Sequence, residues 1–356
     1  MACSATDSVR SAMPEPIIIV GGGLAGLTLG IALRRRNVPV TVWEAGQYPR
    51  HRVCGEFISG RGLASLARIG LLDGIRSAGA RPATDAAFFS ETTTMGVRPL
   101  PEAALCLSRF VLDHWLAEEF QRLGGTLRVG GRWTGEYPAG VVRASGRRPE
   151  PAAPGWRWFG LKVHARNVEL RADLEMHLLP TGYVGLCRLP DGEVNVCGLF
   201  RSLIPVPDLA QRWPEWLVGP PGSALHARMA GAVLDLSSFC SVAALGLSPH
   251  RAIDRHECSI GDALSMIPPM TGNGMSMAFE SAELALDPVE RFSRGTMTWA
   301  QVQEEVARSC DRMFARRLRW AGWMHQALFS RPARSVLFLL ATHAGWCWRS
   351  GFQRTR

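Results

Sequence analysis

The chain has 356 residues, 47% of them hydrophobic, enough to bury a full core and to form about two domains. Apolar runs stop short of the roughly 18 residues that a membrane-crossing helix requires, and nine cysteines, an odd number with no Cys-x-x-Cys pair, argue for reduced thiols in the cytoplasm over a disulfide framework or a zinc site. The formal charge of +9 is accounted for by the segment from Arg308 onward, which has ten arginines against the one acid Asp311, so the body is neutral and carries no motif for nucleic acid.

Residues 1–14 lack the apolar stretch of a signal peptide and read as a flexible lead-in. Pro16 then bounds four β-branched residues, Ile17 to Val20, which predict a short buried strand. Gly21, Gly23 and Gly26 follow as Gly-x-Gly-x-x-Gly, Leu24 to Arg35 carry helical spacing, and a second β-branched run from Val38 to Trp43 ends at Glu44. The first glycine allows the turn, the second lets backbone approach a pyrophosphate, and the third lets helix pack on strand. The helix N-terminus faces the phosphates and Glu44 accepts the hydroxyls of an adenosine ribose. This order of elements predicts a dinucleotide site.

After Glu44 the sequence "QYPRHRVCGEFISGRGLASLARIGL" abandons regular βα units, which disfavours an ordinary Rossmann dehydrogenase. "SRFVLDHWLAEEF" carries helical spacing, with Arg109 and Asp113 placed to pair one turn apart. Between Trp156 and Phe200, short alternating runs separated by "PTG" and "PDGE" turns predict an antiparallel sheet. Such a sheet presents Trp158, Met176, Tyr183 and Cys197 as the apolar roof of a pocket, with His164 and His177 as ordinary sheet residues. No Ser/His/Asp grouping, no His-Glu-x-x-His and no metal-ligand spacing occurs, so no metal is expected and the chemistry is left to a cofactor.

"IGDALSMIPPMTGNGMSMAFE" at 260–280 sets one carboxylate, a stiff Pro-Pro and a Gly-Asn-Gly triplet ahead of a helix whose Met277 and Phe279 are core. From 309 to 329, Phe314, Leu318, Ala321 and Leu328 fall on one side of a helix and Arg312, Arg316 and Arg319 on another. An apolar run at 335–348 follows, too short to span a bilayer. Packing on the body is the first reading of this segment; arginines flanking tryptophans also suggest peripheral membrane contact.

The stretches at 17–44, 52–71, 107–125 and 260–280 resemble FAD-dependent oxidoreductases of the para-hydroxybenzoate-hydroxylase fold, in the branch with geranylgeranyl reductases, flavin halogenases and single-component aromatic or polyketide hydroxylases. The resemblance implies an α/β fold with a discontinuous, Rossmann-like FAD-binding domain at 15–82, 106–150 and 250–296. It further implies an antiparallel β-sheet substrate domain at 83–105 and 151–249, and a C-terminal helical segment at 297–356.

In that family the acid at Asp262 binds the ribityl hydroxyls and Pro268-Pro269 forms a wall beside the isoalloxazine. The helix start at Gly272, Asn273, Gly274 and Met275 points its N–H groups at the flavin edge that becomes anionic on reduction. Arg109 approaches the pyrophosphate, Arg52 lies near ribityl or phosphate, and Cys54 lies beside the ring, while Asp113 reads as a structural partner of Arg109.

One departure concerns the nicotinamide cofactor: the family's Asp-Gly-basic motif reads Ser145-Gly146-Arg147 here, after a short meander. A flavin halogenase needs a positioned lysine, and the chain's one lysine, Lys162, falls on a sheet strand; the Trp-x-Trp-x-Ile-Pro motif of tryptophan halogenases is also missing. The expectation is therefore a monooxygenase that uses FAD, NADH or NADPH and O2 to hydroxylate an apolar aromatic, polyketide or prenylated substrate. Alternatives on the same fold are an isoprenoid double-bond reductase and a redox-inactive FAD-binding protein, the latter resting on Ser145.

Overall fold

The computed structural model describes residues 13–90, 94–148, 155–206, 208–330 and 332–336. The β-branched run forms β1 (Ile17–Val20), the glycine turn leads into α1 (Leu24–Arg35), and the second run forms β2 (Val40–Glu44). Helix α1 is buried from Leu24 to Leu33, because it lies between the sheet and two later helices. Next come β3 (Phe57–Ile58), α2 (Arg61–Ile69), α3 (Leu72–Ser77), β4 (Arg81–Phe89), β5 (Thr94–Cys106), α4 (Arg109–Arg122), β6 (Thr126–Val129) and β7 (Val141–Arg143). The second half holds β8 (Arg157–Arg166), β9 (Leu174–Leu178), β10 (Gly182–Arg188), β11 (Val194–Ser202), α5 (Leu209–Val218), α6 (Ala224–Met229), β12 (Val233–Val242), α7 (Gly274–Ser293) and α8 (Trp299–Phe329).

Two sheets result. The first has the order β6-β2-β1-β7 and is parallel throughout. The second has the order β12-β8-β11-β10-β9-β4-β5-β3. It is mixed rather than purely antiparallel as expected. Strand β4 enters from the first half of the chain instead of from a hairpin, and so it runs parallel to β9. Residues 258–260 run beside β7 through a single bridge from Ser259 to Arg143, and the chain then turns as a 3-10 element at Gly261–Ala263.

Helix α8 starts ten residues before the expected 309, at a capping box between Thr298 and Gln301. Its apolar side (Phe314, Leu318, Ala321) is buried and Arg312, Arg316 and Arg319 are exposed, as the helical spacing predicts. Asp311 accepts the N–H groups of Ala252 and Ile253 at 2.6 and 3.1 Å. Arg317 and Glu280, both almost fully buried, form a two-bond pair between α8 and α7 at 2.7 and 2.9 Å. No helix among the described residues is long and apolar enough to cross a membrane. The lead-in up to residue 12 and the apolar run from residue 337 lie outside the described residues.

Candidate functional site

A cavity of about 1490 Å³ lies where the carboxyl ends of β1, β2 and β7 meet the face of the mixed sheet. That is larger than the roughly 300–1,000 Å³ of an ordinary small-ligand pocket, and the carboxyl edge of a parallel sheet is where such folds bind nucleotides.

The three glycines of the first turn differ in what limits them. A Cβ on Gly26 would overlap the Gly21 carbonyl oxygen, so this glycine is needed for helix to pack on strand. Gly21, at φ +113°, lies against the Ala144 carbonyl. A Cβ on Gly23 would meet nothing within 4 Å; the position opens onto the cavity, at the N-terminus of α1. Glu44 at the end of β2 accepts the Gly22 N–H at 2.9 Å and the Gly46 N–H at 2.8 Å, and pairs with Arg50 at 2.8 Å. Burial pushes its pKa up, but the Gly46 N–H and Arg50 outweigh this and hold it below the ordinary range. With about four lone-pair sites on a carboxylate, three are engaged, and Arg50 is a neighbour the sequence did not reveal.

Cations gather along the same wall. Arg50, Arg52, Arg109 and Arg147 all line the cavity. The buried Nε of Arg52 has no hydrogen-bond partner, and burial, then Arg50 and Arg109, lower its pKa. A buried guanidinium without a full set of acceptors is costly, and an anion in the cavity would supply them. Arg109 is engaged: its Nε and Nη2 bind Asp113 at 2.6 and 2.7 Å, and Asp113 is fully buried. Its side chain faces the cavity, yet the guanidinium has only part of its donor set left for a phosphate.

The 260–275 stretch forms the opposite lip. Asp262 lines the cavity with its side chain exposed to it; partial loss of solvent around the carboxylate pushes its pKa up, against the attraction of Arg109 and Arg147. Pro269, Gly272, Gly274 and Met275 also line the cavity, as does Cys54 from the facing loop. Gly272 sits at φ +64°, where a Cβ would strike the Phe57 ring, and Gly274 opens onto free space at the start of α7. The Asn273 side chain is buried and donates to the Thr271 carbonyl at 3.1 Å, which shapes the turn ahead of α7.

The mixed sheet closes the cavity with apolar side chains. Met176, Tyr183, Cys197 and Leu199 line it, together with Met95 and Met270. The Tyr183 hydroxyl is buried without a hydrogen-bond partner, and burial raises its pKa well above normal. Trp158 does not join this wall. The end of α8 covers that part of β8, and the indole packs on His325 and Phe329 at 4.6 and 5.0 Å.

Sequence reading also missed a buried charged cluster in the cavity wall, which His51 and Glu56 line. Glu56 accepts the Arg109 N–H at 2.9 Å, meets His164 Nε2 at 2.7 Å and lies 3.6 Å from Lys162 Nζ. Lys162 is 0% exposed and contacts His51 Nδ1 at 3.0 Å, while His164 Nδ1 reaches Glu193 at 3.0 Å. His51 faces the cavity; burial, then Lys162 and His164, pull its pKa down to about 4. The cluster fastens the 51–56 loop to the sheet. Its one sequence signal was a lone lysine in the middle of an apolar strand.

Among family models, one for an FAD binding domain matches residues 15–151. The chain carries an FAD-binding domain. Its sequence matches none of the curated proteins. Among solved structures, the flavin-dependent brominase Bmp2 is similar with a TM-score of 0.72 at 14% identity, over 96% of this chain and 93% of its own. The halogenase PltM is similar with a TM-score of 0.71 at 15% identity, over 88% and 77%. A flavoprotein/dehydrogenase from Cytophaga hutchinsonii gives 0.66 at 16%, over 96% and 95%. At these identities the likeness is one of fold alone. The FAD-binding domain contributes Gly23, Glu44, Arg52 and Arg109 to the cavity, and the open position at Gly23 together with the unpartnered Nε of Arg52 on the same cavity wall fits a dinucleotide.

Proposed function

We propose that the protein is an FAD-dependent monooxygenase acting on a neutral, apolar ligand. The observation that carries this reading is the make-up of the ligand chamber. It is walled by Met95, Met176, Leu199 and Met270, and the chain's single lysine is fully buried beneath His51 and Glu56, which line the cavity while the lysine does not. A halogenase of this fold would need that amine beside the ligand. Bound FAD supplies electron transfer from a reduced nicotinamide and activation of O2. The balance is one ligand C–H, O2, NAD(P)H and a proton giving ligand C–OH, water and NAD(P)+.

The chain's own groups divide the remaining work. The N–H groups at the start of α1 and the Arg52 guanidinium hold the pyrophosphate, Glu44 takes the ribose, and Asp262 accepts ribityl hydroxyls. The N-terminus of α7, opened by Gly274, favours negative charge on the ring edge it faces. Methionine and leucine side chains exclude water from the ligand, and thioethers suit flat aromatic surfaces. The test is turnover of apolar aromatic and prenylated compounds with NADH or NADPH under isotope-labelled O2. Label in the product supports the proposal. A product gaining two hydrogens and no label moves the assignment to a double-bond reductase, and flavin that nicotinamide cannot reduce moves it to a redox-inactive binder.

A further inference from the structure

We propose that the exposed side of α8 at the cavity mouth docks the protein on an anionic lipid surface, so that an apolar ligand passes from lipid into the cavity along that helix. Arg312, Arg316, Arg319 and Trp323 recur at i, i+4, i+7 and i+11, the spacing of one helix face, and all four are exposed. The neighbouring arginines are neutralised: Arg308 pairs with Glu304 at 2.6 Å and Arg317 with Glu280. The acid nearest the stripe on its own face, Glu305, reaches toward Arg291 at 3.6 Å. Arg312, Arg316 and Arg319 have no ion-pair partner among the described residues, so the stripe holds three uncompensated positive charges.

The helix face changes character as it turns inward. Trp323 is 52% exposed and lies at the cavity wall, with its ring 5.5 Å from that of Trp320. Trp320, Met324 and Leu328, each one turn after the last, carry the lining into the chamber. A row of solvated arginines is an ordinary helix surface. An exposed tryptophan continuous with an apolar chamber, at the end of that row, is what a lipid interface selects. Indole rings settle at the headgroup level, and a polar face rich in arginine binds anionic headgroups. With no spanning helix among the described residues, the contact is one that lies on the surface. The proposal needs the cavity but is independent of the reaction carried out there.

The experiment is sedimentation of the full FAD-loaded chain with vesicles of phosphatidylcholine alone and of phosphatidylcholine mixed with phosphatidylglycerol, at low and high salt. Binding to the mixed vesicles only, lost at high salt through screening, is expected. Replacing Arg312, Arg316 and Arg319 with Gln should weaken it by roughly fivefold each, about a hundredfold together. FAD content should stay unchanged, which shows that the variant is folded. Vesicles with bromine on the acyl chains should quench tryptophan emission, and Trp323→Phe should remove part of that quenching. Equal binding to both vesicle types, no binding at low salt, or full binding by the triple variant would each overturn the proposal. The last outcome would place any lipid contact outside this helix.

Discussion

Along the parallel sheet the cavity is walled largely by backbone, with glycines at 21 and 23 and the start of α1; along the mixed sheet it is walled by side chains drawn from strands far apart in sequence. The first wall has the geometry of a dinucleotide turn, and the carbonyls packed against Gly21 and Gly26 leave it little room to change. The second has methionines and a buried, unpaired tyrosine hydroxyl, an arrangement whose shape is set by packing and can be altered residue by residue. On the proposed function, one wall fixes the cofactor and the other selects the ligand.

The largest expected effect separates two glycines of the first turn, one on the cavity wall and one behind it. Gly26→Val should prevent folding, because its side chain has to occupy the place of the Gly21 carbonyl oxygen. Gly23→Val should fold with normal circular dichroism and lose FAD, because its side chain fills only the cavity. If both variants fold and keep flavin, the wall is not the cofactor site.

A middle effect tests the tie between the walls. Glu56→Ala leaves Lys162 buried without its carboxylate, which should cost about 3–5 kcal/mol in urea unfolding. Adding Lys162→Met should recover much of that loss, since removing both charges also removes the penalty of burying one alone. A double variant no more stable than Glu56→Ala would show that the hydrogen bonds to His164 and the Arg109 N–H, and not the charge, fasten the loop.

The smallest effect lies on the side-chain wall. Burial, and then Arg201, pull the pKa of His325 down from 6.5 to about 4, and neither ring nitrogen has a hydrogen-bond partner. Below pH 6.5 the unfolded chain takes up a proton that the folded one refuses, so stability falls as pH drops toward 4. His325→Phe should flatten the fall in melting temperature between pH 6.5 and about 5, leaving the share that His51 contributes by the same sign. An unchanged slope would assign the whole effect to other groups.

The same contrast explains what the sequence disclosed. The dinucleotide turn was readable because its parts are neighbours: strand, glycines, helix and Glu44 follow within thirty residues. The mixed sheet was readable as strands, but its eight-strand order and the parallel entry of β4 depend on pairings between distant segments. Trp158 shows the limit most plainly. Strand alternation put it on the face toward the cavity, yet α8, more than 160 residues later, covers it. The Glu56 cluster was hidden for a similar reason, since its members come from residues 51 to 193 and meet only after folding.

Helix α8 has a mechanical consequence. At 31 residues it is about 46 Å long by the usual rise of 1.5 Å per residue. It is bolted at three heights: Asp311 to the turn at Ala252, Arg317 to Glu280 on α7, and His325 with Phe329 to Trp158 on β8. It therefore acts as a strut across both halves of the molecule. Two of these holds tie α8 to the 250–296 segment, so prising the halves apart like a clamshell would have to break the third, at Trp158. Trp320, Trp323 and Met324, which line the cavity, sit on the stretch of α8 between the hold on α7 and the hold on β8, so strain on either end is felt at the cavity wall.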